Sequence, residues 1–216
     1  MDGLIQIVKV LDEDEVDEIN SYADTHLSFT RSRTFDGLKT KVDAGRTSVE
    51  CPLGENDDIT KKIHQKLTKA LFEYRQRILN IHPGFNAHPL PGAPNTISHR
   101  EDLRIIQYEA GQHYGHHHDQ GTVRIREEYH REISVILYLT DDFEGGETCF
   151  IDCNLRPKKG QAIIFPANWC FVHQGNPVIK GRKRILVTWM YSFDIGSADL
   201  DGGYIGSTRG RPPTPS

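Results

Sequence analysis

The second half of the chain is a run of short apolar segments, at about 103–109, 132–140, 147–152, 161–165, 169–174 and 183–192, separated by Gly, Pro and charged residues. Segments of this length bounded by turn formers are predicted to be antiparallel strands of a sandwich or jelly roll. Ahead of them LIQIVKV, residues 4–10, alternates as a first strand. Asp12 is placed to cap a helix running through about Ala23, with Val16, Ile19 and Tyr22 on one side. A longer helix is predicted over 57–80, where Ile59, Ile63, Leu67, Leu71, Tyr74 and Ile78 recur every three or four positions. That stripe needs a surface to cover and reads as the face of a helix packed on the back of a sheet. The stretch 81–98, IHPGFNAHPLPGAPNTIS, is rich in Pro, Gly and Asn and reads as a loop. Helices gathered ahead of antiparallel strands make the class α+β rather than a parallel βαβ array.

A chain of 216 residues fits one domain and buries a core without disulfides. That domain is expected over 1–195, with helical support over about 1–98 and a strand-rich core over about 99–195. Residues 196–216 have few apolar anchors and are expected to form a mobile tail. The net charge of -4 offers no basic field for DNA or RNA, and no apolar run approaches the roughly 18 residues that cross a bilayer. Neither a nucleic acid nor a membrane is expected as a partner, and nothing demands more than a monomer. The opening residues lack a basic segment followed by an apolar one and a cleavage site, so a cytoplasmic protein is expected. Cys51, Cys149, Cys153 and Cys170 are too few and too irregular for a disulfide framework, and the Cys170–His173 pair has no partner pair at zinc spacing.

The stretch GHHHDQ, residues 115–120, sets three histidines before an aspartate. Imidazole nitrogen and carboxylate oxygen suit a first-row metal such as iron(II). Along an extended chain only residues two apart share a face, which pairs His117 with Asp119 and turns His116 and His118 away. The alternative is a solvated polar turn rich in histidine. A mononuclear iron site commonly takes two histidines and one carboxylate and leaves positions open, so a second histidine is sought on a distant strand. His173 is the candidate, although a lone histidine in an apolar run is more often a buried residue bonded to backbone. Ten residues on, Lys183 opens a strand in which Lys183, Ile185, Val187 and Trp189 share a face. A charge pointing into an apolar interior is costly unless an anion meets it. Arg182 and Arg184, beside it in GRKR, read as parts of an exposed basic turn.

The ordered set of motifs resembles the iron(II)- and 2-oxoglutarate-dependent dioxygenases, most closely the prolyl 4-hydroxylase branch. The resemblance runs over about 103–192, through Y-x-x-G-x-x-Y-x-x-H-x-D (Tyr108, Gly111, Tyr114, His117, Asp119), YLTDDFEGGETCF, P-x-x-G-x-A-x-x-F and H-x-x-x-P-V-x-x-G-x-K. GRTSVEC, residues 45–51, resembles more loosely the segment that precedes the long helix in the same branch. The resemblance implies a double-stranded β-helix, that is, a jelly roll, with supporting N-terminal helices. It implies His117, Asp119 and His173 as metal ligands and Lys183 as the partner of the far carboxylate of 2-oxoglutarate, shared with Tyr138, while Tyr108 lines the same pocket. Independently, Ser134, Ile136 and Tyr138 lie on one strand face and Ile133, Val135, Leu137 and Leu139 on the other, so an inward phenol is reasonable. EGGET, residues 144–148, reads as a sharp turn, and Arg46 as a residue facing the substrate groove.

The implied activity is hydroxylation of proline in a peptide or protein, using Fe(II), 2-oxoglutarate and O2, with ascorbate expected as reductant and succinate and CO2 as products. Two other readings stay open at this point. One is a related dioxygenase acting on lysine, a free amino acid or another small substrate; the other is a non-catalytic jelly-roll module that keeps a metal.

Overall fold

The structure is a computed structural model in which residues 3–35, 40–55, 57–87, 90–91, 99–120 and 129–193 are described. The expected tail at 196–216, and 88–89 and 92–98 of the expected loop, lie outside the described residues. Strand β1 (Gln6–Lys9) leads into helix α1 (Glu13–His26), the short strands β2 (Thr30–Arg31), β3 (Thr34–Phe35), β4 (Thr40–Lys41) and β5 (Val49–Pro52), and the long helix α2 (Asp58–Leu79). After a 3-10 turn at Pro83–Ala87 come β6 (His99–Arg100), β7 (Arg104–Tyr108), β8 (Tyr114–His117), β9 (Tyr129–Tyr138), β10 (Glu144–Gly145) and β11 (Thr148–Phe150). The chain continues through β12 (Asn154–Leu155), β13 (Gln161–Pro166), a 3-10 turn at Trp169–Phe171, β14 (His173–Gly175), β15 (Val178–Lys180) and β16 (Lys183–Phe193).

Local chemistry sets the helix boundaries. The Asp12 carboxylate accepts from the Glu15 amide at 3.0 Å while Glu15 accepts from the Asp12 amide at 3.0 Å, a reciprocal cap on two amides that a helix start leaves unpaired. Helix α1 continues past Ala23 to His26, one turn beyond its predicted end. Helix α2 matches the predicted stripe: Ile63, Leu67, Leu71, Tyr74 and Ile78 are all buried.

A large sheet runs in the order β1-β13-β9-β16-β7-β5-β2, with β6 also on β16, and a smaller one in the order β12-β11-β14-β8. Both helices cover the outer face of the large sheet, where Ile133, Val135, Leu137, Leu139, Leu186 and Met190 join Val16, Ile19, Leu67 and Tyr74 in one cluster. Its inner face meets the smaller sheet through Ile136, Tyr138, Phe150, Phe165, Phe171 and Val187. Period-two alternation along β9 and β16 therefore feeds two cores at once. Two antiparallel sheets facing each other, with helices behind the larger, form a double-stranded β-helix.

Two local readings need correction. Residues 169–174 are not one strand: the Asn168 side chain accepts from the Cys170 amide at 3.0 Å and holds Trp169–Phe171 in a 3-10 turn, so β14 starts only at His173. Arg184 is not exposed but 3% accessible, because its strand face lies under α1. There its guanidinium reaches Asp24 Oδ1 at 2.5 Å, Asn20 Oδ1 at 3.1 Å and Gln107 Oε1 at 2.8 Å.

Candidate functional site

Antiparallel pairing of β14 with β8 sets His173 directly opposite His117, and their rings lie 4.3 Å apart between centroids. Strand β8 ends at His117, so Asp119 comes from the turn that follows rather than from the strand itself. Its backbone is nevertheless anchored, the Asp119 and Gln120 amides both donating to Ala167 O, at 3.2 and 2.9 Å. The Asp119 carboxylate then lies 3.5 Å from His117 Nε2 and 3.8 Å from His173 Nε2. One ligand atom from each of the three residues falls within 4.8 Å of the others.

The far side of each imidazole is committed. His117 Nδ1 sits 2.8 Å from Gly115 O and His173 Nδ1 3.0 Å from Phe171 O, so each Nδ1 carries the proton and each Nε2 turns its lone pair inward. Ser134 Oγ donates to Asp119 Oδ2 at 2.7 Å. Burial, with His173 adding to it, pulls the His117 pKa down to about 4, leaving the ring neutral near pH 7. Burial pushes the Asp119 carboxyl up, but His173, His117, Arg131 and the Ser134 hydroxyl together outweigh it and hold the group well below the usual carboxylate range. Two imidazoles with Nε2 turned inward and an ionised carboxylate, converging and held from behind, form a donor set suited to iron(II).

The three residues line a cavity of about 600 Å³ between the sheets. Lys183, Ile185, Val187 and Trp189 line it from the large sheet, as their shared face predicts. Lys183 is 3% exposed; its ammonium donates to Gly146 O at 2.7 Å and lies 5.4 Å from the Tyr108 ring and 5.1 Å from the Tyr138 ring. Desolvation lowers its pKa to about 8, only partly opposed by Glu147. The EGGET turn is where this carbonyl comes from: Gly145 and Gly146 adopt φ of 71° and 67°. Tyr108 lines the cavity directly. Tyr138 is fully buried behind it, its hydroxyl 2.6 Å from that of Thr148, which does line the cavity. Arg46 lines it as well, its guanidinium 4.9 Å from the Tyr114 ring centroid.

Sequence reasoning missed three contributors. Ser134 had been placed on the inward face, and a lone hydroxyl among Ile136 and Tyr138 was the available signal. Thr148 ends EGGET and carried no signal of its own. Arg131, paired with both oxygens of Glu101 and stacked 3.7 Å from the Trp189 ring, joins residues too distant in sequence to be connected without coordinates.

Residues 103–191 match the family model of the 2OG-Fe(II) oxygenase superfamily. This segment belongs to that superfamily. It runs from the start of β7 into β16 and includes His117, Asp119, His173 and Lys183. The chain is similar to prolyl 4-hydroxylase 2 of Arabidopsis thaliana, 33% identical over 129 residues that cover 44% of this chain and 43% of the relative. The chain thus spans less than half the length of the curated relatives it matches. Among solved structures, the viral collagen prolyl hydroxylase of Paramecium bursaria Chlorella virus-1, in its 2OG complex, superposes with a TM-score of 0.61 at 22% identity, covering 88% of this chain and 96% of that one. A Trichoplax adhaerens prolyl hydroxylase, solved with a hypoxia inducible factor peptide fragment, gives 0.61 at 15% identity, covering 89% and 84%. At these identities the likeness to solved structures concerns the fold. No helix among the described residues is long and apolar enough to cross a membrane.

Proposed function

We propose that this chain is an iron(II)- and 2-oxoglutarate-dependent hydroxylase that acts on proline in a peptide or protein, forming 4-hydroxyproline, succinate and CO2. The observation that carries the reading is one cavity lined both by the His117, Asp119 and His173 donors and by a buried ammonium whose own neighbourhood leaves its charge undercompensated. Likeness to prolyl 4-hydroxylases supports proline as the target.

His117 Nε2, His173 Nε2 and an Asp119 oxygen would hold iron(II). With 2-oxoglutarate and O2, the iron supplies oxidative decarboxylation coupled to insertion of one oxygen atom into a C–H bond. The protein's part is geometry, charge and exclusion of water. Gly115 O and Phe171 O fix the imidazole tautomers, and Ser134 fixes the carboxylate rotamer. Lys183 would bind the far carboxylate of the dicarboxylate, whose negative charge raises the lysine pKa again and offsets the cost of burying the ammonium. Tyr108 and Thr148 shape the space around it, and Tyr138 supports Thr148 from behind. Apolar Ile185 and Val187 keep that end of the cavity dry. Ascorbate would act as an external reductant that maintains iron(II).

The test is incubation with 2-oxoglutarate, iron(II), ascorbate and proline-containing peptides, reading succinate and peptide mass together. A gain of one oxygen localised to proline supports the reading. Oxygen placed on lysine, or no succinate under any peptide, overturns it.

A further inference from the structure

The cavity mouth carries a charge imbalance that the iron and cosubstrate chemistry does not use. Four arginines line it among the described residues: Arg33, Arg46, Arg104 and Arg131. Arg131 is neutralised by its two-point pairing with Glu101. Arg46 and Arg104 share a single acid: Glu50 Oε2 accepts from Arg46 Nη2 at 2.6 Å and Glu50 Oε1 from Arg104 Nη1 at 3.0 Å. One carboxylate against two guanidiniums leaves a positive charge in excess. Arg33 is exposed and pairs with no carboxylate among the described residues, while its carbonyl accepts from Arg46 Nη1 at 2.9 Å.

A second observation points the same way. Arg46 is 8% exposed, and its Nε is buried without a hydrogen-bond partner among the described residues. A buried N–H left unpaired is costly, and it marks a guanidinium whose donors Glu50 and the Arg33 carbonyl do not fully satisfy. The positive excess is counted over the described residues. A positive mouth on a chain of net charge -4 is a local feature, of the kind that selects and steers a partner of opposite sign.

We propose that the substrate is acidic next to its target: a peptide with Asp or Glu within a few residues of the reacting proline, whose carboxylate is taken up by Arg104 and Arg33 over the Glu50 bridge. This rests on the hydroxylase reading above but is separable from it. The experiment is calorimetric titration of the protein, loaded with Mn(II) and 2-oxoglutarate, with two short peptides that share one central proline and differ only in flanking Glu or Lys. At low salt the Glu peptide is expected to bind about ten-fold more tightly, a gap that narrows as salt screens it. In Arg104→Gln/Arg33→Gln the preference is expected to fall to about three-fold or less. Equal affinities, tighter binding of the Lys peptide, no binding of the Glu peptide, or an undiminished preference in the double variant overturns the proposal. Repeating the assay with iron(II) in air separates the two claims. Selective binding without hydroxylation removes the hydroxylase reading alone, and hydroxylation of both peptides with equal KM removes acidic selection alone.

Discussion

Ser134 shows how much a single hydroxyl can settle. By donating to Asp119 Oδ2 at 2.7 Å it engages one oxygen of the carboxylate and leaves Oδ1, 3.5 Å from His117 Nε2, free to serve as a ligand. Partners that orient a ligand from behind typically contribute ten- to hundred-fold in metal affinity. Ser134→Ala is therefore expected to weaken Mn(II) or iron(II) binding about ten-fold, while Ser134→Thr, which keeps the hydroxyl, restores most of it. Calorimetry on both variants checks this, and unchanged affinity in the alanine variant would remove the positioning role. Asp119→Ala should go further and abolish both metal binding and succinate formation; coupled turnover retained in that variant would show that the ligand set is wrong. Lys183 gives a pH signature. With its pKa lowered to about 8 by burial, the free protein presents an ammonium below that pH and a neutral amine above it. KM for 2-oxoglutarate should be flat below pH 8 and climb by up to about ten-fold per unit above it, since binding must then take up a proton. A KM that stays level to pH 10 would contradict this.

At the scale of elements, Arg184 ties α1 to the large sheet through Asp24, Asn20 and Gln107. Arg184→Ala removes these bonds and leaves the half-buried Gln107 Oε1 without the guanidinium donors, so a loss of about 2–3 kcal/mol is expected in urea unfolding. Asp24→Ala, whose carboxylate is 55% exposed, should lose much less. What was legible in the sequence divides along the same lines. Helices α1 and α2 and the long strands β9 and β16 follow from periodicity, because each buries a continuous face and a repeating pattern records it. The short strands β2 to β5, β10, β12 and β15 were not legible: two to four residues hold too few alternations to register, and their pairing is decided by what lies beside them. Arg184 was misjudged for a related reason, since a charged residue in a basic run looks solvated until the helix that covers it is placed. In the site, His117, Asp119, His173 and Lys183 were picked out by spacing and motif. Ser134, Thr148 and Arg131 act through contacts between distant strands, which local spacing does not encode.

For the whole molecule, the buried lysine trades stability for binding. Holding an ammonium whose pKa falls from 10.5 to about 8 disfavours the folded state by about 3 kcal/mol at neutral pH. The hydrogen bond to Gly146 O returns about 1 kcal/mol of this. Lys183→Met fills similar space without the charge and should raise the stability of the ligand-free protein by about 2 kcal/mol at pH 7. The sign is checked by pH: between about 8 and 10.5 the unfolded chain binds more protons than the folded one, so wild-type stability should rise with pH across that window. The methionine variant lacks this rise. With Mn(II) and saturating 2-oxoglutarate the order should reverse, since the wild-type protein gains stability in proportion to ligand occupancy and the variant, stripped of the anion's partner, gains little. Urea unfolding of both proteins, with and without the dicarboxylate, reads all four stabilities. A variant less stable than wild type in the absence of ligand would mean that the ammonium is already compensated by the fold, and that the cavity is not held ready for an anion.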